Sequence, residues 1–337
     1  MPRLPSSIFA DEPFVPAPGL SNGHLSTIYA WARARAYPGL PAAETRLIRI
    51  DAETQVRADC YWQPNRTARP TLLCLHGLEG SSEGHYMRGL AHKAIRRGWN
   101  VVLLNHRNCG GTEHLTPALY HSGLTEDPLA VIRALIAAEG LTRFSVVGYS
   151  LGGNLAVKLA GELPGAPDVP VVSVAAVCPT IDLSLCAEAL EWRRNLLYQW
   201  NFLKGLKARM RRKARAFPGR YDLTPLERIR SIRQFDDTYT APSHGFGTAA
   251  KYYELASAIR GVSRIAIPTL IIAAENDPFV PVTQYLRGEI RANPNIRVSL
   301  QRHGGHCGFV GRPSRDTDGY WAEEAAIDFL TKTNSSS

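Results

Sequence analysis

The 337-residue chain holds no apolar run that approaches the ~18 residues a membrane-spanning helix needs. Its first twenty residues, MPRLPSSIFADEPFVPAPGL, lack a continuous apolar segment and carry Asp11 and Glu12, so no secretory leader is expected. They read instead as an extended, proline-punctuated arm lying on the domain. The six cysteines (60, 74, 109, 178, 186 and 307) form no C-x-x-C pair, and several sit inside apolar runs, as Cys74 does in TLLCLHG. That pattern argues against a disulfide framework or a zinc site and fits reduced, buried thiols in a cytoplasmic protein. No P-loop, dinucleotide fingerprint or metal-ligand cluster is evident, so neither cofactor nor metal is expected. Acidic residues are the minority, 30 against 39 basic, which gives +9. Such an excess can favour anionic partners. The basic residues are not spread along a nucleic-acid recognition fold, so no nucleic-acid partner is expected. Oligomeric state is left open.

What is present is an ordinary globular composition, 45% hydrophobic and 20% charged, enough for a substantial core. From about residue 46 the chain alternates strand, turn and helix. TRLIRI and TQVRADCYW alternate in polarity and read as an antiparallel pair. TLLCL (71–75) and NVVLLN (100–105) are short and apolar throughout, as strands covered on both faces should be. HYMRGLAHKAIRRG places Met87, Leu90, Ala91, Ala94 and Ile95 on one helical face and stops at Gly98. TEDPLAVIRALIAAEG predicts a second helix, with Asp127 as N-cap and Pro128 at its first position. FSVVG, a helix from about 151, VPVVSVAAV (169–177), IPTLIIAA (267–274), IRVSLQ (296–301) and a closing helix, YWAEEAAIDFL, follow. The alternation implies a mostly parallel sheet with helices on both faces. One interval, 183–255, carries no strand of this type and is helical, basic and aromatic. The expected organisation is an arm over 1–45, a core over 46–182 and 256–333, and a helical cap inserted at 183–255.

The stretch SVVGYSLGGNLAV, 145–157, sets Ser150 between glycines where a strand pattern gives way to a helix pattern. G-x-S-x-G is common by itself; at a strand-to-helix junction it describes a tight turn that exposes a nucleophilic hydroxyl over a helix N-terminus. A serine needs a base, and the base needs an orienting acid. Asp277 follows a buried strand in IIAAENDPFVP, and His306 follows the last strand in RHGGHCGFVG. Asp182, Glu275 and His303 are rivals for these roles. Backbone N–H groups should hold the oxyanion: Leu151, next after the serine, and Leu78 in LHGLEGSS. Cys109 and Cys307 lie near these motifs and read as bystanders.

The stretches LSNGHLSTIYA, LHGLEGSS, NHRNCGGT, YHSGLTED, VGYSLGGN, FDDTYTAP with HGFGTAAKYY, ENDPFVP and HGGHCGFVG together resemble the α/β-hydrolases, and more narrowly their YheT-like branch. They run in the family's order over nearly all of the chain after residue 20. The resemblance implies an eight-stranded hydrolase sheet, a helical cap, a triad of Ser150, Asp277 and His306, and oxyanion donors at Leu78 and Leu151. The chain departs from the family's N-P-H-L-Q-T, having Asn22, Gly23, His24, Leu25, Ser26 and Thr27, and His24 is read as structural. Relatives act on carboxylic esters and phospholipids, and some transfer acyl groups to alcohols.

The expected function is a serine hydrolase that cleaves short- or medium-chain or lipid esters through an acyl-enzyme on Ser150. Acyl transfer to an alcohol and a silent binding protein of the same fold are the alternatives. Within the basic segment 192–220, Leu196, Trp200, Leu203 and Met210 can share one helical face, with Lys204, Lys207, Arg211 and Arg215 on another. Such a helix can touch an anionic membrane, although the simpler expectation is that its apolar face packs inward.

Overall fold

A computed structural model describes residues 13–314 and 317–335. Eight strands form one sheet in the order β1-β2-β4-β3-β5-β6-β7-β8. β1 (Glu44–Arg49) and β2 (Gln55–Tyr61) pair antiparallel, and β2 joins β4 (Asn100–Leu104) antiparallel. The other strands are parallel: β3 (Thr71–Leu75), β5 (Phe144–Tyr149), β6 (Val171–Val177), β7 (Thr269–Ala274) and β8 (Ile296–Gln301). Every residue of β3, β4, β5 and β7 is buried, which is why these segments are apolar without alternation.

Alternate residues of β3 feed two separate cores. Leu73 and Leu75 pack with α3 (Glu126–Glu139) and α4 (Leu151–Glu162), while Leu72 and Cys74 pack with α2 (His85–Arg96) and α11 (Trp321–Ser335). Between β6 and β7 the described chain is helical: α5 (Leu183–Glu191), α6 (Leu196–Ala216), the short α7 (Ile232–Phe235) and α8 (Ala241–Ser243), and α9 (Ala249–Ala256). α10 (Gly288–Ala292) lies between β7 and β8.

Two elements differ from the expectation. α3 starts at Glu126 with Thr125 at the N-cap position, not at Asp127. Asp127 instead pairs with Arg107, Oδ1 to Nη2 at 2.6 Å and Oδ2 to Nε at 2.7 Å, and both groups are buried. A buried guanidinium claims the carboxylate that would otherwise cap the helix. The second is α1 (Gly23–Ala32), a helix in the span expected to be an arm, begun where Asn22 accepts the Leu25 N–H at 3.2 Å. Ahead of it, the described part of the arm is tied down by Phe14, whose N–H donates to Gln301 Oε1 at 2.8 Å. Residues 1–12 lie outside the described residues.

Candidate active site

Ser150 lies between β5 and α4, at the N-cap of α4, with φ 53° and ψ −114°, a conformation that costs a non-glycine residue on the order of 1–3 kcal/mol. The turn is possible only because its flanks are bare. A Cβ on Gly148 would fall 2.0 Å from Gly152 O, and one on Gly152 would fall 2.3 Å from Leu75 O. The glycine spacing around the serine is therefore a packing requirement of the bend itself.

The structure brings Ser150, Asp277 and His306 together. His306 Nε2 lies 2.9 Å from Ser150 Oγ, and Nδ1 lies 2.8 Å from Asp277 Oδ2. A carboxylate can only accept, so Nδ1 carries the proton and Nε2 faces the serine hydroxyl. The other Asp277 oxygen accepts the N–H groups of Phe279 at 3.1 Å and Val280 at 2.9 Å, which fixes the carboxylate. Burial opposes the imidazolium, while Cys307 and Asp277 favour it, and the net direction is upward. The rival residues stand elsewhere: Asp182 caps α5 at Leu185 N and meets Arg287, and His303 bonds Ser21 O.

The loop that carries His306 is held by residues that sequence reasoning left without a role. Thr27 Oγ1 on α1 accepts the His306 N–H at 2.8 Å, Ser26 Oγ donates to Gly304 O at 3.0 Å, and Asn276 Oδ1 accepts the Gly305 N–H at 3.0 Å. His24 stacks on Tyr198 of α6, with Nδ1 3.1 Å from its hydroxyl, and lines the groove beside Ser150. The only forward signal was the N-G-H-L-S-T stretch, whose departure from the family pattern drew attention away from it.

Leu78 and Leu151 line the inner cavity together with Ser150, and neither N–H has a hydrogen-bond acceptor among the described residues. The Leu78 loop is braced from below. His76 Nε2 accepts the His106 N–H at 3.1 Å, so its Nδ1 carries the proton and donates to Gly77 O at 2.8 Å. Burial holds both imidazoles neutral, with His106 pushed down to about 4. From above, Arg209 of α6 pairs with Glu79, lies 4.4 Å from the Tyr120 ring centroid and donates to Cys109 Sγ at 3.5 Å. Burial raises the Glu79 carboxyl even with Arg209 beside it, whereas at Arg209 the attraction of Glu79 and Tyr120 outweighs burial. The closeness of the contact decides that both stay charged.

Arg209 and Lys213 correct the expected face of α6. The buried stripe is Gln199, Leu203, Leu206, Arg209, Met210 and Lys213, whereas Leu196 and Trp200 are exposed. Leu203, Leu206 and Met210 join the core, and both cations reach polar groups of the loop before α3. Burial pushes the Lys213 ammonium down to about 7, and it donates to Asn108 Oδ1 at 2.6 Å. Among the described residues, no helix is long and apolar enough to cross a membrane.

Two cavities meet at Ser150. The inner one, about 90 Å³, runs beneath the helices between β6 and β7 and is lined by Leu183, Ala187, Leu206 and Tyr252. The outer is an open groove of about 690 Å³ between α1 and α6, walled by Ile28, Trp31, Leu197 and Tyr198, with His306 at its base.

Residues 70–313 match the family model described as the alpha/beta hydrolase fold. The chain is 36% identical over 324 residues to YheT of Escherichia coli strain K12, which covers 94% of this chain and 93% of that one. The chain belongs to the α/β-hydrolases, in their YheT-like branch. It is also 30% identical over 245 residues to the mouse phospholipase ABHD3, covering 72% of this chain and 59% of the relative. To the medium-chain fatty acid ethyl ester synthase/esterase 2 of Saccharomyces cerevisiae it is 29% identical over 287 residues, 78% of this chain and 62% of that one. Among solved structures, the esterase Pf2001 of Pyrococcus furiosus superposes with a TM-score of 0.56 at 15% identity, covering 89% and 96% of the two chains. That likeness speaks to the fold alone.

Proposed function

We propose that this hydrolase cleaves carboxylic esters through an acyl-enzyme on Ser150. The observation that carries the reading is the unbroken relay from Asp277 through His306 to a strained serine hydroxyl, at 2.8 and 2.9 Å. His306 Nε2 takes the proton as Ser150 Oγ attacks the ester carbonyl. The oxyanion lies between the Leu78 and Leu151 N–H groups, and the imidazolium hands its proton to the departing alkoxide. Water, deprotonated by the same nitrogen, then releases the acid and restores the serine.

The two cavities divide the substrate. The inner apolar cavity takes the acyl chain, under a cap formed by 183–255, and the open groove takes the alcohol. The test is a fluorophosphonate probe on wild type and Ser150→Ala, followed by p-nitrophenyl esters of increasing acyl length. Labelling confined to wild type and kcat/KM peaking at a short or medium chain are expected. An unlabelled, folded wild type would instead indicate a binding protein. The breadth of the groove also admits an alcohol as acceptor in place of water, and product analysis with added ethanol separates transfer from hydrolysis.

The rim of the groove extends the reading to lipid esters. Ile28 and Trp31 of α1 and Leu197 of α6 line the groove and are exposed, with Arg194 beside them, and Leu25 and Trp200 are exposed on the same two helices. An apolar rim with a cation beside it suits an anionic lipid surface. Wild type should sediment with vesicles rich in phosphatidylglycerol and not with phosphatidylcholine alone. The Leu25→Glu, Trp200→Glu double variant should lose that binding yet still turn over a soluble short-chain ester. Equal sedimentation of wild type and variant would refute the surface role.

A further inference from the structure

Two cysteines that the sequence keeps 129 positions apart meet beside the proposed base. Cys178 follows β6 directly and Cys307 follows His306. Both residues adopt positive φ, 45° and 56°, which turns each side chain toward the other's loop. The Cys307 N–H donates to Cys178 Sγ at 3.3 Å, the Cys178 thiol donates to Gly305 O at 3.7 Å, and the Cys307 thiol donates to Val177 O at 3.6 Å. The two sulfurs and a ring nitrogen of His306 all lie within 4.8 Å of one another. Cys307 and His306 also line the outer groove, so the trio is reachable from solvent although Cys178 is buried.

From this juxtaposition we infer that Cys178, Cys307 and His306 form a binding site for a soft divalent cation of the zinc type, and that its occupancy switches the hydrolase off. Thiolate and imidazole are the ligands such an ion prefers, at about 2.3 and 2.0–2.1 Å. Those lengths set tetrahedral ligand separations of about 3.5–3.8 Å. A contraction on the order of 1 Å therefore converts the resting cluster into three ligands, with the fourth position open to water. Binding releases the two thiol protons to solvent, and the ion takes one lone pair from the imidazole. Whichever nitrogen is used, His306 gives up its bond to Ser150 or to Asp277. In either case the relay is broken and no base remains for the serine. Cys307, read as a bystander in the sequence, thus becomes a point of control together with Cys178.

Loss of activity on binding rests on the reading of His306 as the base; binding itself does not, and the experiment separates the two. Reduced, chelator-treated protein is titrated with Co²⁺ and followed by the thiolate-to-cobalt charge-transfer absorption in the near ultraviolet. Zn²⁺ is then added to displace the cobalt. One equivalent, an unchanged spectrum in Ser150→Ala, and affinity weakened about tenfold or more in Cys178→Ser and in Cys307→Ser are expected. Esterase activity of wild type should fall in step with the absorption and return with EDTA. Should either serine variant fold poorly, alkylation mapped by mass spectrometry on wild type reports the same thing. Zn²⁺ should then protect residues 178 and 307 and leave the other cysteines as before. Absence of the thiolate band, the same band in both cysteine variants, or no protection would overturn the site. A normal band with undiminished turnover would instead overturn His306 as the base.

Discussion

Ser150→Ala should lower kcat on a p-nitrophenyl ester by about 10⁶, and His306→Ala by nearly as much, while the double variant loses no more than either alone. The non-additivity follows from the geometry. Among the described residues Ser150 Oγ meets no side chain but His306 Nε2, so under the proposed mechanism each side chain is idle without its partner. Asp277→Asn should cost about 10⁴, because an amide that donates to Nδ1 holds the ring in the wrong tautomer. A further comparison separates chemistry from strain. Alanine keeps the unfavourable φ of 53°, whereas glycine accepts it. Ser150→Gly should therefore melt higher than Ser150→Ala, with both inactive. Additive losses in the double variant would show that the two residues do not act as one unit.

Arg209→Met should destabilise the fold by about 3–5 kcal/mol and slow turnover by about 10². The guanidinium is buried, and its removal leaves the Glu79 carboxylate in an apolar setting that already pushes it upward. The loop that carries Glu79 also carries Leu78, so loosening one displaces the proposed oxyanion donor next to it. Adding Glu79→Gln should recover much of the stability, since the orphaned charge is then gone. Recovery of turnover should be smaller, because the brace between α6 and the loop remains absent. Denaturation midpoints and kcat for the three proteins check both halves. Wild-type stability in Arg209→Met would mean that the ion pair contributes nothing net.

The sheet was legible because its strands are covered on both faces. After their first residue, TLLCL, NVVLL and TLIIAA have no polar position to confuse with a helix stripe, and their order carries the topology. The bend at Ser150 was legible for a related reason: glycines crowd where backbone passes backbone. Charge misled where burial reversed its usual meaning. Arg209 and Lys213 were given no role among the cations of that segment, yet they reach inward to Glu79 and Asn108, and no periodicity encodes a partner roughly a hundred residues or more away in the chain. The same distance hides Cys178 from Cys307. Thr27 and Ser26 were missed because a hydroxyl that steadies a remote loop leaves no spacing to read.

The meeting of two unequal cavities at one serine makes the site modular. The inner wall belongs largely to α5, α9 and the later turns of α6, and the outer wall largely to α1 and the first turns of α6, with Leu78, Phe202 and Phe279 shared between them. Drift in one wall need not disturb the other. A lineage could exchange alcohol preference through Ile28, Trp31 and Leu197 while keeping its acyl preference, or the reverse. Selection would then act on two half-specificities that vary independently, and a library confined to either wall would sample one of them alone.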